Sequence, residues 1–184
     1  MLILASSSPR RRELLTQAGI SFCVESIDID ESHRSGETPI AYTLRLAREK
    51  AEAIFVAHPT STVLGADTIV VCDAEILGKP ADAADAARML RLLSNRSHQV
   101  ITGVAILSPQ GTVTRAETTT VVMREILEKE IETYIATGEP MDKAGAYAIQ
   151  GGAAKFVVQI EGDYTNIVGL PVALVQKLLQ NQPQ

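Results

Sequence analysis

A chain of 184 residues, 46% hydrophobic and 21% charged, has the make-up of an ordinary soluble globule and is long enough for one domain or two small lobes sharing a core. Its net charge of −5 argues against a general polynucleotide binder, and no apolar run approaches the ~18 residues of a membrane span. Cys23 and Cys72 are too few and too isolated for a disulfide framework or a zinc site, and the strand-like start lacks a signal-peptide pattern. The expected compartment is a reducing cytoplasm.

Leu2–Ala5 is apolar and reads as a short buried strand, and Arg12–Ala18 reads as a helix that Gly19 stops. Between them Ser7 or Ser8 can cap the helix, and Pro9 suits its first position, where no amide proton is needed. Arg10, Arg11 and Arg12 then crowd the first turn, at the positive end of the helix dipole. A cation there is disfavoured by roughly 0.3–1 kcal/mol each. An anion over the helix start resolves the inversion, because it would collect amides, hydroxyls and guanidiniums together. A local basic pocket in an acidic chain points to a small anionic ligand.

The next segment, "SFCVESIDIDES", alternates in part and ends in an acidic loop around Asp28, Asp30 and Glu31. A helix follows Pro39, where Ile40, Leu44, Ala47, Ala51 and Ile54 form an apolar stripe with Lys50 on its edge, able to reach a cleft. "TVLGADTIVVC" reads as a central strand and "EILGKP" as its partner after a turn near Asp73-Ala74. Asp82 caps a third helix running to about Leu93. "HQVITGVAIL", "TVTRAETTTVVM" and "KFVVQIEG" supply further strands, the first two joined by a hairpin at Pro109-Gln110-Gly111. Glu128–Thr137 is a helix stopped by Gly138, and Pro171 opens a last helix ending near Leu179. The tail "NQPQ" reads as frayed. This alternation of strands and helices is that of an α/β fold.

Several residues could carry chemistry. Asp67 is a carboxylate in an apolar strand, costly unless paired or bound to a metal. The bland reading is a satisfied strand-end Asp, but Gly65 and Ala66 leave room for a ligand to approach the backbone. Lys79 follows a glycine and precedes Pro80, and could be either an oriented cation or a solvated loop lysine. Glu31, with Asp30 and Asp28, is either a solvated acidic loop or a partner of Asp67 around a divalent cation with oxygen ligands. In "MDKAGAYAIQGGAAKF" (141–156), glycines and alanines surround Tyr147 and Gln150, side chains able to read a base, in what looks like packed structure. His33 and His58 read as solvent-facing loop residues and His98 as a structural hydrogen-bonder. Basic and acidic sites in this combination are what phosphoryl transfer on a metal-bound polyphosphate needs.

Six ordered motifs carry a resemblance: "ASSSPRR" (Ala5–Arg11), "GADT" (Gly65–Thr68), Lys79-Pro80, "SHQVITG" (Ser97–Gly103), "DKAGAYAIQG" (Asp142–Gly151) and "GLP" (Gly169–Pro171). In these the chain resembles the Maf family of nucleoside triphosphate pyrophosphatases over nearly its whole length. The resemblance implies a single Maf-like domain over 1–184. Its α/β fold would be an elongated mixed β-sheet flanked by helices, with two lobes around a central cleft, related to the inosine triphosphatase fold. It implies hydrolysis between the α- and β-phosphates with a divalent metal cation, Mg²⁺ or Mn²⁺. Asp67 matches the family's general base, and Glu31, Lys50 and Lys79 match its acidic and basic catalytic positions, with Glu31 and Asp67 holding the metal. Ser6, Ser8, Arg10 and Arg11 match the phosphate-binding loop. Arg10, Thr68 and Gln150 match the specificity residues of the branch acting on dTTP and UTP, although Ala148 replaces a glycine commonly seen in that loop. Expected partners are a nucleoside triphosphate and a second copy of the chain in a homodimer, with no nucleic acid and no membrane. The family is also linked to septum formation.

Three other functions compete. A nucleotidyltransferase would share the strand, small-residue loop, Arg and Lys-Pro, but usually carries a glycine-rich first loop, and "ASSSPRR" has no glycine. A nucleotide-binding regulator of septum formation would need no catalysis. A 7-methyl-GTP pyrophosphatase is disfavoured by Gln150, whose amide offers the donor and acceptor that O4 and N3–H of a uracil or thymine require. Asp67 as chiefly base or chiefly ligand stays open at this level.

Overall fold

The computed structural model of the chain describes residues 1–181. In chain order it contains β1 (Leu2–Ala5), α1 (Pro9–Gln17), β2 (Cys23–Glu25), α2 (Pro39–Phe55), β3 (Thr62–Cys72), β4 (Glu75–Leu77) and α3 (Ala83–Leu93). It continues through β5 (Ser97–Ser108), β6 (Gly111–Met123), α4 (Glu128–Ile135), short 3-10 turns between Glu139 and Phe156, β7 (Val157–Glu161), α5 (Tyr164–Val168) and α6 (Val172–Gln180). Among the described residues, seven strands form one mixed sheet in the order β2-β1-β3-β5-β6-β7, with β4 paired to β3. The α/β class expected from the alternation is the class observed. The expected frayed tail lies, from Gln182 on, outside the described residues.

The chain divides into two compact units. The first comprises Met1–Thr68, Thr102–Glu117 and the segment from Gly169 onward. Within it β1 lies between β2 and β3 and runs parallel to both, with Ala5 opposite Gly65. Parallel neighbours need crossover connections, which α1 and α2 provide. Ser8 caps α1, accepting from the Arg11 amide, and Pro9 opens it. Thr38 caps α2 through the Ala41 amide at 3.2 Å, ahead of Pro39. The core joins Ile3, Ala5, Ala47, Ala51, Ile54, Val63, Ala105 and Leu107.

The buried face of α2 is rotated from the expected stripe. Ala47, Ala51 and Ile54 are buried, but Ile40 is 47% exposed, and Thr43 and Leu46 are inside instead. Small residues choose this face because the helix lies directly on the strands. A Cβ at Gly65 would stand 2.1 Å from the Ala47 carbonyl oxygen, and one at Gly103 would stand 2.4 Å from the Thr43 carbonyl. Only glycine admits a helix backbone so close to a strand.

The second unit comprises Ile69–Ile101 and Thr118–Val168. β4 returns antiparallel on β3, pairing Leu77 with Val70. The turn between them uses Asp73 (φ 49°) and Ala74 (φ 67°), the mirror-image geometry that suits strand twist. Asp82 caps α3 by accepting from the Asp85 amide at 2.8 Å. β7 pairs antiparallel with β6. The 139–156 segment is packed, as its Ala, Ile and Tyr content indicated, with Pro140, Gly145, Ala146, Ala153 and Phe156 buried. "SFCVESIDIDES" yields only the three residues of β2, and the five-residue α5 is too short to show a helical period.

The contact at Gly65 gives a direct test. Gly65→Ala is expected to lose about 1–3 kcal/mol, as overpacked sites do. The loss should appear as a lower urea midpoint at unchanged slope. Gly78→Ala, where a Cβ meets nothing within 4 Å, should leave the midpoint alone. Equal midpoints for Gly65→Ala and the parent protein would show that α2 does not rest on β3.

Candidate active site

Successive residues of a strand face opposite sides. Gly65 therefore puts Asp67 on the same side of β3 as α2, and Thr68 on the other. On the α2 side, Lys50 Nζ stands 2.7 Å from Asp67 Oδ1 and 2.7 Å from Glu31 Oε1. Asp67 is 8% exposed, so its carboxylate needs such a partner. Lys50 belongs to the helix and Asp67 to the strand, while Glu31 comes from the acidic loop before α2. Three of the expected site residues thus meet at one ammonium group.

The loop that carries Glu31 is tied to α2. Tyr42 Oη donates to the Glu31 carbonyl at 2.7 Å, and Arg45 Nη2 donates to the Ser32 carbonyl at 3.0 Å. Arg45 also holds Glu37 at 2.6 Å and Glu49 at 3.1 Å. The Arg45 guanidinium keeps the Glu37 carboxyl down at about 2, and the two carboxylates keep Arg45 firmly charged. Asp30 takes a different role from Glu31, accepting from the Ser32 amide at 2.9 Å to shape the loop.

On the other side of β3 a second cluster forms around Arg11. Its Nε donates to the Gly169 carbonyl at 2.8 Å, Nη1 to Ser6 Oγ at 3.3 Å and Nη2 to Thr68 Oγ1 at 3.1 Å. Thr68 also meets Thr102 Oγ1 at 2.9 Å and the Gly169 carbonyl at 3.3 Å. Burial lowers the Arg11 pKa, and the Asp67 carboxylate opposes that shift. A guanidinium has five N–H donors, more than these three bonds use, so donors remain for an anion. Ser8 caps α1, while its own amide donates to Ser6 Oγ at 3.2 Å. Arg10 sits half-buried in the first helical turn.

Lys79 and Gln150 belong to the second unit, both exposed. The residue before Lys79 is anchored there, since the Gly78 carbonyl accepts from the Gly145 amide at 3.0 Å. His98 is buried and meets Tyr147 Oη at 2.8 Å through Nε2. Burial pulls the His98 pKa down to about 4, so the ring is neutral at pH 7 and structural, as its strand position indicated.

The first unit's carboxylates can be tested against the implied divalent cation. Two hard oxygen donors converge on one cationic point at Lys50. Among the described residues no group of three or more His, Cys, Asp or Glu could hold a metal ion unaided. Mg²⁺ in phosphoryl-transfer sites is held by one or two carboxylates with substrate phosphates and water. Glu31 and Asp67 fit a cation bound in that way.

Sequence reasoning missed Tyr42, Arg45, Thr102 and the Gly169 carbonyl. Arg45 had a readable signal, because Glu49 stands at i+4 on a helix. The Gly169 carbonyl had none, since a backbone acceptor leaves no mark on residue identity.

Known proteins resemble the chain at every level. A sequence profile of the family described as "Maf-like protein" matches residues 1–182. The "dTTP/UTP pyrophosphatase" of Koribacter versatilis (strain Ellin345) is 54% identical over 179 residues, covering 97% of this chain and 93% of that protein. The protein of the same name from Bacillus cytotoxicus (strain DSM 22905 / CIP 110041 / 391-98 / NVH 391-98) is 52% identical over 179 residues, covering 97% and 94%. Among solved structures, the Staphylococcus aureus Ham1 protein aligns with a TM-score of 0.56 at 16% identity, covering 99% of both chains. A HAM1 protein from Coxiella burnetii aligns at 0.52 and 17% identity, covering 97% and 98%. At such identities the likeness is one of fold.

The Arg45–Glu37 pair makes a prediction for acid. The Glu37 pKa falls from an ordinary 4.5 to about 2 in the folded chain. The pair therefore stabilises above the unfolded value, and that contribution is lost as pH drops through the folded one. Urea unfolding at successive pH values should show parent stability falling more steeply than that of Arg45→Met between pH 4.5 and 2. Parallel curves would refute the pairing.

Proposed function

Since this chain belongs to the Maf-like protein family, we propose that it is a hydrolase cleaving dTTP and UTP to the nucleoside monophosphate and pyrophosphate. The observation that carries the reading is Lys50 Nζ held 2.7 Å from both Asp67 and Glu31, which gives a buried carboxylate at the centre of a charged cluster. Asp67 engages Lys50 through Oδ1, and its other oxygen is the natural acceptor for a proton from the attacking water. As the water oxygen bonds to phosphorus, the P–O bond to the bridging oxygen breaks and pyrophosphate departs with that oxygen. Lys50 and Lys79 offset the negative charge that develops. Arg10, Arg11 and the Ser6–Ser8 loop, at the amide end of α1, hold the triphosphate tail. A divalent cation, Mg²⁺ or Mn²⁺, held by Glu31 and Asp67 with phosphate oxygens, would neutralise those oxygens and polarise the anhydride. Gln150 reads the uracil or thymine edge.

The unpaired Cys23 and Cys72 agree with action in the cytoplasm, and no described helix is long and apolar enough to cross a membrane. We expect a homodimer and no nucleic-acid partner. A septum-formation phenotype that survives Asp67→Asn would belong to nucleotide binding and not to hydrolysis.

The test is pyrophosphate release from dTTP, UTP, CTP, ITP, 7-methyl-GTP and modified uridine triphosphates with Mg²⁺ or Mn²⁺. Pyrimidine-selective release that falls by about 10²–10⁴-fold in Asp67→Asn is the expected result. Release that persists in Asp67→Asn would remove Asp67 from the chemistry. Gln150→Ala should raise KM for UTP far more than it lowers kcat, and unchanged nucleotide preference in that variant would end its base-reading role.

A further inference from the structure

Gln150 lies on an exposed turn, yet both backbone amides two residues away from it are tied to one pair of side chains. The Ala148 amide donates to Tyr134 Oη at 3.1 Å. The Gly152 amide donates to both Glu139 oxygens, at 3.1 and 3.2 Å. Tyr134 Oη itself donates to Glu139 Oε1 at 2.6 Å, so the two anchors form one unit. A phenol gives one proton and accepts another bond, and both capacities are used here.

The packing around this unit is equally close. A Cβ at Gly151 would stand 2.3 Å from Glu139 Oε1, and one at Gly152 would stand 3.2 Å from the Tyr134 ring. The two glycines that follow Gln150 are thus what let the turn lie on the Tyr–Glu pair. Tyr134 is 3% exposed and sets its ring edge-on to Phe156, with centroids 5.8 Å apart. Burial and the neighbouring Glu139 carboxylate both push the phenol pKa up, which keeps its proton in place as the donor. Further back in the same segment, Tyr147 is held by His98, and Gly145 by the carbonyl preceding Lys79. The fold therefore fixes this turn at several points, and the Tyr134–Glu139 pair is the one that brackets Gln150.

We propose that Tyr134 and Glu139 are positioning residues for nucleotide selection, clamping the 148–152 turn so that the Gln150 amide is presented in one orientation to the base. The inference rests on the base-reading role given to Gln150 above. Neither side chain need touch the nucleotide. An unclamped turn would sample several orientations, and the affinity for a pyrimidine would fall by the fraction of molecules in the wrong one.

The experiment combines steady-state kinetics on UTP and CTP with calorimetric binding of a non-cleavable UTP analogue. The variants are Tyr134→Phe, Glu139→Gln, Glu139→Ala, Gln150→Ala and the Tyr134→Phe/Gln150→Ala double variant. Tyr134→Phe keeps the ring and removes one hydroxyl. It should weaken analogue binding, raise KM for UTP and lower the UTP-over-CTP ratio of kcat/KM, each by roughly tenfold, the scale of one lost hydrogen bond. Its kcat should stay within about twofold. Glu139→Gln retains an acceptor oxygen for Gly152 and should stay near the parent protein, whereas Glu139→Ala should match Tyr134→Phe. In the Gln150→Ala background, Tyr134→Phe should cause no further loss of selectivity, because the pair acts through Gln150.

Two results would overturn the clamp. One is an unchanged KM, ratio and analogue affinity in folded Tyr134→Phe or Glu139→Ala, and the other is a selectivity loss that repeats in full without Gln150. The hydrolase reading fails separately. If no pyrophosphate is released while analogue binding still depends on Tyr134 through Gln150, the clamp stands and the proposed reaction falls.

Discussion

The site in the first unit depends on how closely α2 can approach the sheet. Gly65 on β3 and Gly103 on β5 leave no side chain between strand and helix, and the α2 backbone occupies that space. The approach is what lets Lys50, projecting from the helix, reach Asp67, two residues along the strand from Gly65. A longer helix–strand separation would take the Lys50 ammonium away from the buried Asp67 carboxylate, at a cost of several kcal/mol. The room at Gly65 that the sequence offers to a ligand is taken by the α2 backbone instead, and both glycines are rigid spacers of zero length. They also explain the choice of Thr43, Ala47 and Ala51 for the inner face of α2 over the bulkier Ile40.

Given that spacing, charge decides the rest of the arrangement. Lys50 faces two carboxylates, and its single charge leaves the cluster negative overall. Glu31 is held there by its own ion pair with Lys50 and by Tyr42 and Arg45, which staple its loop to α2. Arg45 can do this from an almost buried position because Glu37 and Glu49 satisfy its remaining donors. The loop is thus organised by hydrogen bonds and ion pairs to α2 in the absence of a core of its own.

Much of this was legible in the residues. The strand "TVLGADTIVVC" appears in full as β3, and Ser8, Pro9 and Asp82 take the capping and opening positions that their chemistry favours. Asp67 stood out because an unpaired carboxylate does not belong in an apolar strand. Other features were silent for physical reasons. The α2 face was misjudged because hydrophobicity marks where burial is favourable, whereas here steric closeness decided it. The bonds at the Gly169 carbonyl and the Ala148 and Gly152 amides are made by backbone atoms, whose partners the residue type does not name. Tyr134 and Glu139 carry no sequence signal of this role, since they meet backbone amides of a turn several residues away.

The arginines that open α1 bring these strands of reasoning together. Three cations at the positive end of a helix are unfavourable on their own. For Arg11 the offset lies within the chain, in the Gly169 carbonyl and the hydroxyls of Ser6 and Thr68. Those acceptors are neutral, so they orient the guanidinium without cancelling its charge. Arg10 and Arg12 have no carboxylate in their turn to relieve them. The helix start therefore carries three cations with no acidic residue in its own first turn. Hydroxyls and a carbonyl thus fix the orientation of the Arg11 guanidinium, while the Asp67 carboxylate offsets part of its charge.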